Sequence, residues 1–168
     1  MTEPELPPAD LDLPRQDLDD PRDEAIVVRL SSGRFAIELA SVAEVGRLPV
    51  ITRLPGVPEW LAGVANWRGR ILPVLDLRPL LAATTGSPTR ETRLVILTAD
   101  SLTVGIVADA VEGTTSLDDV SPVPVTGASG DPRLICGQVP REDGPLAVLD
   151  VAAVMQLRQD LPRGRRTA

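Results

Sequence analysis

From Ala25 onward the apolar residues arrive in short runs broken by Gly, Ser, Asp and Pro, the rhythm of strands joined by tight turns. Ile26–Leu30 and Arg34–Leu39 flank Ser31-Ser32-Gly33 and predict a hairpin, followed by a third apolar run, Val42–Leu48. Pro49, Pro55 and Pro58 then force an extended connection, because proline removes the donor and the backbone freedom a helix needs. Leu61–Trp67 and Arg70–Leu75 form a second predicted hairpin around Arg68-Gly69, with Gly69 supplying positive φ. A short helix is expected over Leu77–Ala83, with Pro79 in its first turn, and then a polar loop over Thr84–Thr89. Thr92–Thr98 and Leu102–Val107 make a third hairpin around Asp100-Ser101. Val111–Val125 reads as irregular or short-stranded, closed by Pro122 and Pro124. Leu134–Val139 and Leu146–Leu149 flank a turn at 141–144, and Val151–Gln159 carries helical spacing. Short strands every 8–12 residues with few helices predict an all-β barrel or sandwich.

The chain echoes itself. Leu61-Ala62-Gly63 precedes Val74-Leu75-Asp76-Leu77 at the interval that separates Leu134-Ile135-Cys136-Gly137 from Val148-Leu149-Asp150-Val151. This order favours two similar β-units over one large sheet, and two small barrels sharing an apolar seam remove exposed strand edges.

Composition narrows the chemistry. Hydrophobic residues make up 43% of the 168 and aromatics only 2%, so aliphatic side chains must fill the core. With no His and one Cys, a His-dependent triad, a His metal site, a disulfide and a multi-Cys zinc site are all excluded within the chain. Residues 1–24 hold nine carboxylates and two arginines, the whole of the net charge of −7, so the rest is formally neutral. That leader is proline-broken and is expected to be a disordered acidic tail, either solubilising or docking. Residues 25–160 are expected to be the folded body and 161–168 a frayed basic tail. A neutral body argues against nucleic acid, and no apolar run approaches the ~18 residues of a membrane span, so a cytoplasmic protein is expected.

Asp76, Asp109 and Asp150 are the carboxylates that could run hydrolytic chemistry, given a cleft. Asp76 and Asp150 sit at strand-to-helix junctions, where a capping role is the expectation. Cys136 lies in an apolar strand and reads as a buried, inert thiol without any His partner. No phosphate loop or nucleophile elbow occurs, so no catalysis and no cofactor are expected. Gly63–Arg70 is the most informative stretch: Trp67 with Arg68 and Arg70 at a hairpin tip either covers the barrel, the cations solvated, or marks an interface. Glu44 is the natural mate for one of those cations.

Three blocks of sequence then carry a specific resemblance: Arg34-Phe35-Ala36-Ile37 with Val42-Ala43-Glu44-Val45; Val50-Ile51-Thr52-Arg53-Leu54-Pro55; and Gly63–Gly69 with Leu72-Pro73-Val74-Leu75-Asp76-Leu77-Arg78. Together with Val104–Val111 they resemble the CheW-like coupling proteins of chemotaxis over about residues 25–160. The resemblance implies two intertwined, SH3-like five-stranded barrels, over roughly 25–90 and 91–160, packed through a hydrophobic seam. It implies a non-enzymatic adaptor that bridges the cytoplasmic tips of methyl-accepting chemoreceptors to the regulatory domain of a CheA-type histidine kinase. By motif match it places Glu44 and Arg68 in a polar surface pair, and Val42, Ile51, Thr52 and Arg53 on or beside partner-facing strands. Trp67 stands at the hairpin tip where the family usually has Leu. Gly63, Asn66, Gly69 and Asp76 match structural positions.

Overall fold

The computed structural model describes residues 23–122 and 130–161; the leader up to Arg22, the Val123-Pro124 part of the second proline block and the basic tail beyond Leu161 lie outside the described residues. Ten strands and one helix are described: β1 (Glu24–Leu30), β2 (Gly33–Glu38), β3 (Val42–Arg47), β4 (Leu61–Trp67), β5 (Arg70–Leu75), β6 (Arg93–Ala99), β7 (Leu102–Ala108), β8 (Ala110–Ser116), β9 (Ile135–Val139), β10 (Leu146–Leu149) and α1 (Val151–Gln159). They form two five-stranded sheets, ordered β8-β1-β2-β10-β9 and β3-β6-β7-β5-β4.

The two orders are copies of one plan. Each sheet has a central hairpin, β1–β2 or β6–β7, an outer hairpin, β9–β10 or β4–β5, and one strand, β8 or β3, on the far side. In both, the outer hairpin joins the central one through a short parallel pairing, β10 on β2 and β5 on β7. The repeated Gly-to-Asp interval in the sequence marks these two outer hairpins. The third strands are exchanged, however: after β2 the chain crosses to the second sheet, and after β7 it crosses back. The second sheet is therefore the continuous stretch 42–108, inserted into a first sheet made from the two ends of the body. This corrects the expected division near residue 90. The physical reason is that a strand is placed by its long-range ladder, here β3 on β6 and β8 on β1, and not by its neighbours in sequence.

The unbroken apolar runs now have a cause. Along β1, Ile26, Val28 and Leu30 face a core shared by the two sheets, while Ala25 and Val27 face the interior of the first. Along β6, Val95 and Leu97 join the shared core, and Leu94 and Ile96 fill the second sheet's interior. A strand buried on both faces has no polar side to alternate with. The helix α1 lays Val154, Met155 and Leu157 on the shared core. Each fully buried Leu or Ile of this kind contributes about 1.5–3 kcal/mol, which makes the seam the main apolar store of the fold.

One bridge joins the outer strands of each sheet. Five residues beyond β3, Thr52 exchanges hydrogen bonds of 2.8 and 2.9 Å with Val64 of β4; five residues beyond β8, Ser121 exchanges two of 2.9 Å with Gln138 of β9. Next to each bridge is one of the echoed glycines. A Cβ on Gly63, at φ +146°, would lie 2.2 Å from the Thr52 carbonyl oxygen, and one on Gly137 would lie 3.0 Å from that of Ser121.

Three local expectations change. The segment expected to be irregular or short-stranded from Val111 begins with the seven-residue β8, because β1 offers it a partner across a bulge at Val27/Val28. The helix expected over Leu77–Ala83 is only a 3-10 turn, Pro79–Leu81, ended by Ala82 at φ +52°. Cys136 is exposed, since β9 is the last strand of its sheet. Its thiol still turns toward the Val148 carbonyl at 3.6 Å, and burial of the sulfur pushes its pKa up, which suppresses the thiolate.

Candidate functional site

The β4–β5 turn places Arg68 at φ +49° and Gly69 at φ +79°, positive at both central positions as a tight two-residue hairpin requires. Asn66 Oδ1 accepts the Gly69 amide at 2.9 Å and fixes the turn. On the facing edge, a bulge between Val42 and Glu44 re-aims β3 so that Glu44 points across to this tip. The guanidinium of Arg68 donates to both Glu44 oxygens, at 3.0 and 2.5 Å, and the Trp67 indole Nε1 donates to Oε2 at 3.1 Å. The Trp67 ring lies over Gly46, where an added Cβ would meet it at 2.4 Å.

No backbone ladder joins β3 itself to β4, so this cluster holds the sheet's open side by side chains. Arg68 keeps 74% of its side chain exposed, and an exposed pair adds little to stability. Its hydrogen bond to Arg68 holds the Glu44 carboxyl below the usual carboxylate range, and the same bond raises the guanidinium. The result is a pre-oriented cation and indole at a rigid tip. Beside them is a shallow groove of about 270 Å³ whose walls include Arg70, Ile71 and Arg158. Ile71 is 68% exposed, an apolar residue facing out on the sheet.

The other residues expected at a partner surface sit elsewhere. Val42 packs against the shared core. Ile51 is half-buried against the second sheet's interior, while Thr52 and Arg53 are exposed on the proline-rich connection. That connection walls a second groove of about 580 Å³, with Ile51, Arg53, Leu54, Val57 and Pro58 along it, and leaves Val50 89% exposed above. The structure thus brings Glu44, Trp67 and Arg68 together, turns Val42 to the shared core, and places Ile51, which packs on the same cluster as Trp67, and Arg53 along the other groove.

Asp76 and Asp109 do converge, around a cation. Arg78 donates through Nε and Nη2 to the two Asp76 oxygens and through Nη1 to Asp109, all at 2.8 Å, and is itself buried. Asp109 also accepts the Ser31 amide at 2.6 Å. Both carboxylates are thus already engaged, which is not the arrangement of a hydrolytic pair around a ligand. The Asp76 hydrogen bonds raise the Arg78 guanidinium against the effect of burial. Asp76 closes a turn onto the Arg78 amide at 3.1 Å, whereas Asp150 caps α1 through the Ala153 amide at 3.1 Å. Ile71, Arg158 and the Arg78 cluster were not singled out from the sequence. The alternation of β5, which turns Leu72 inward and Ile71 outward, was a signal for one of them. Among the described residues no group of three or more Cys, Asp or Glu side chains is placed to hold a metal ion, and no helix is long and apolar enough to cross a membrane.

Comparison with known proteins follows the same outline. A model of the CheW-like domain matches residues 24–159. The chain is 31% identical over 103 residues to the chemotaxis protein CheW of Klebsiella aerogenes, covering 60% of this chain and 62% of the relative. It is 34% identical over 85 residues to protein PilI of Pseudomonas aeruginosa, covering 51% and 48%. These alignments therefore span less than two thirds of either relative. The crystal structure of the scaffolding protein TtCheW from Thermoanaerobacter tengcongensis shares the fold, with a TM-score of 0.70 at 24% identity over 77% of this chain and 89% of that one.

Proposed function

The chain belongs to the CheW-like domain family, and from that footing we propose that it is a non-enzymatic adaptor in chemotaxis-type signalling, joining chemoreceptor tips to the regulatory domain of a CheA-type histidine kinase. The observation that carries this reading is the Glu44–Trp67–Arg68 corner: an aromatic and an arginine, the types that dominate interface energetics, held together by Glu44 with the indole half-buried and the guanidinium exposed. Asn66 and Gly69 fix the turn of that corner, Gly63 makes room for the Thr52–Val64 bridge, and Ile51, Thr52 and Arg53 offer a second contact strip along the proline-rich connection. Such an adaptor acts by geometry. Receptor state reaches the kinase only if the contacts on the adaptor differ in free energy between signalling states.

The test is a sizing column run on the purified chain mixed with a CheA-type regulatory domain at about 10 µM each, where a Kd near 1 µM (about −8 kcal/mol) gives one earlier peak. Glu44→Arg should return the two proteins to separate elution without moving the thermal midpoint. Separate elution of the unaltered chain overturns the reading. A second version of the same role, with PilI as well as CheW among the relatives, is a scaffold in a related signalling pathway. The receptor and kinase recovered with the tagged chain from its own cells decide between them.

A further inference from the structure

Charge is unevenly divided between the two sheets. The strands and turns of the first, residues 24–38 and 110–149, carry eight carboxylates against four arginines; the inserted stretch 42–108 carries seven arginines against five carboxylates. The leader, residues 1–22, adds seven carboxylates against two arginines and enters the fold at Asp23, whose carbonyl accepts the Leu117 amide on the acidic side. An acidic segment leaving an acidic sheet is repelled by it and attracted by the other.

The inserted stretch holds one groove whose chemistry fits that segment. The half-buried Trp67 and the exposed Ile71 supply an apolar floor, and Arg68 and Arg70, joined by Arg158 from α1, surround it, with Glu44 already taken by Arg68. The leader contains Asp10-Leu11-Asp12-Leu13 and Asp17-Leu18-Asp19, alternations of acid and leucine. In an extended chain such a pattern sends leucines to one face and carboxylates to the other. Leucines set on Trp67 and Ile71 bring the aspartates level with the guanidinium groups. A second cationic hollow, at Arg47, Arg90 and Arg93, lacks that apolar floor and lies at the opposite end of β3 from the leader's entry.

Reach is not limiting. Ala25 pairs with Glu38, and five residues further on Ala43 forms part of the groove wall. A 22-residue segment has a root-mean-square span of about 26 Å and reaches about 73 Å when fully extended. Its five prolines reduce the conformational freedom given up on docking. Being tethered, the leader needs only weak intrinsic affinity, because its effective concentration is of order millimolar.

We propose that the acidic leader docks on the groove beside Trp67, Arg70 and Arg158 as an intramolecular cover of the tip that carries Glu44 and Arg68. Where that tip is the partner surface, a point that rests on the adaptor reading, a partner must displace the leader, and the leader sets the threshold for binding.

The test uses the full chain with a nitroxide on Gln16→Cys in a Cys136→Ser background and no partner protein, so a negative result leaves the adaptor reading to its own experiment. The amide signals of Ile71, Thr98 and Thr103 are expected to lose intensity in the paramagnetic state. They should recover in about 1 M salt, where the Debye length falls to about 3 Å. They should also recover when the seven leader carboxylates are changed to amides (Glu3→Gln, Glu5→Gln, Asp10→Asn, Asp12→Asn, Asp17→Asn, Asp19→Asn and Asp20→Asn). Broadening that persists after that change, that centres on Arg47, Arg90 and Arg93, or that is absent from the folded body overturns the proposal.

Discussion

At Gly63 a single hydrogen atom in place of a methyl group decides whether the second sheet closes. Its φ of +146° and the 2.2 Å approach that a Cβ would make to the Thr52 carbonyl act on the same bridge. Gly63→Ala is expected to destabilise the fold by about 2–4 kcal/mol from backbone strain and overpacking together. Gly69→Ala, at φ +79° with open space around it, should cost about 1 kcal/mol. Urea midpoints of the two variants check the difference, and equal shifts would show that closure does not depend on the close approach. The repeat of Gly63 as Gly137 was visible in the sequence; its reason, a facing carbonyl, was not, because the facing residue comes from another part of the chain. The pairing of Glu44 with an arginine was legible from charge and hairpin position; the choice of Arg68 came from the family resemblance, because it depends on a bulge that no local pattern announces. Because the folded Glu44 carboxyl titrates below its ordinary 4.5, whatever the pair contributes is fully present above that pH. It is lost only as the pH falls through the lower, folded value.

Among elements, hairpins were the most legible. The limits of β4, β5 and α1 follow directly from turn residues and periodicity, since both partners of a hairpin lie within a few residues of each other. Strand β8 stayed open between irregular and short-stranded, because Glu112 and Gly113 interrupt its pattern and it depends on the distant β1 for its ladder. The Arg78 cluster shows the same limit at the level of side chains. Asp76-Leu77-Arg78 is a local motif, yet its third member, Asp109, arrives from the β7–β8 junction and is itself bound to the β1–β2 turn. The cluster therefore ties the inserted sheet to the outer one just where the chain crosses between them. Arg78→Leu leaves Asp76, only 7% exposed, without its cation, and should destabilise by about 3–5 kcal/mol. Chemical denaturation measures this. A loss below 1 kcal/mol would show that the crossing is held by the apolar seam alone.

Over the whole molecule, the exchange of β3 and β8 makes the two sheets one object. The first sheet is completed only by strands from both sides of the inserted stretch 42–108, and both sheets press on a single core that α1 covers. A rigid body of this kind presents surfaces at fixed angles to one another, the property that an adaptor needs if a change in one partner is to be felt by the other. Its charge division, acidic on one sheet and cationic on the other, gives those surfaces different preferences. In the proposed role the chain couples two proteins and performs no reaction itself. The most direct test is a reconstitution of chemoreceptor, CheA-type kinase and the purified chain in which ATP turnover by the kinase is followed as receptor ligand is added. The account predicts that turnover responds to receptor ligand only when the chain is present and that Glu44→Arg removes the response; an equal response without the chain contradicts it.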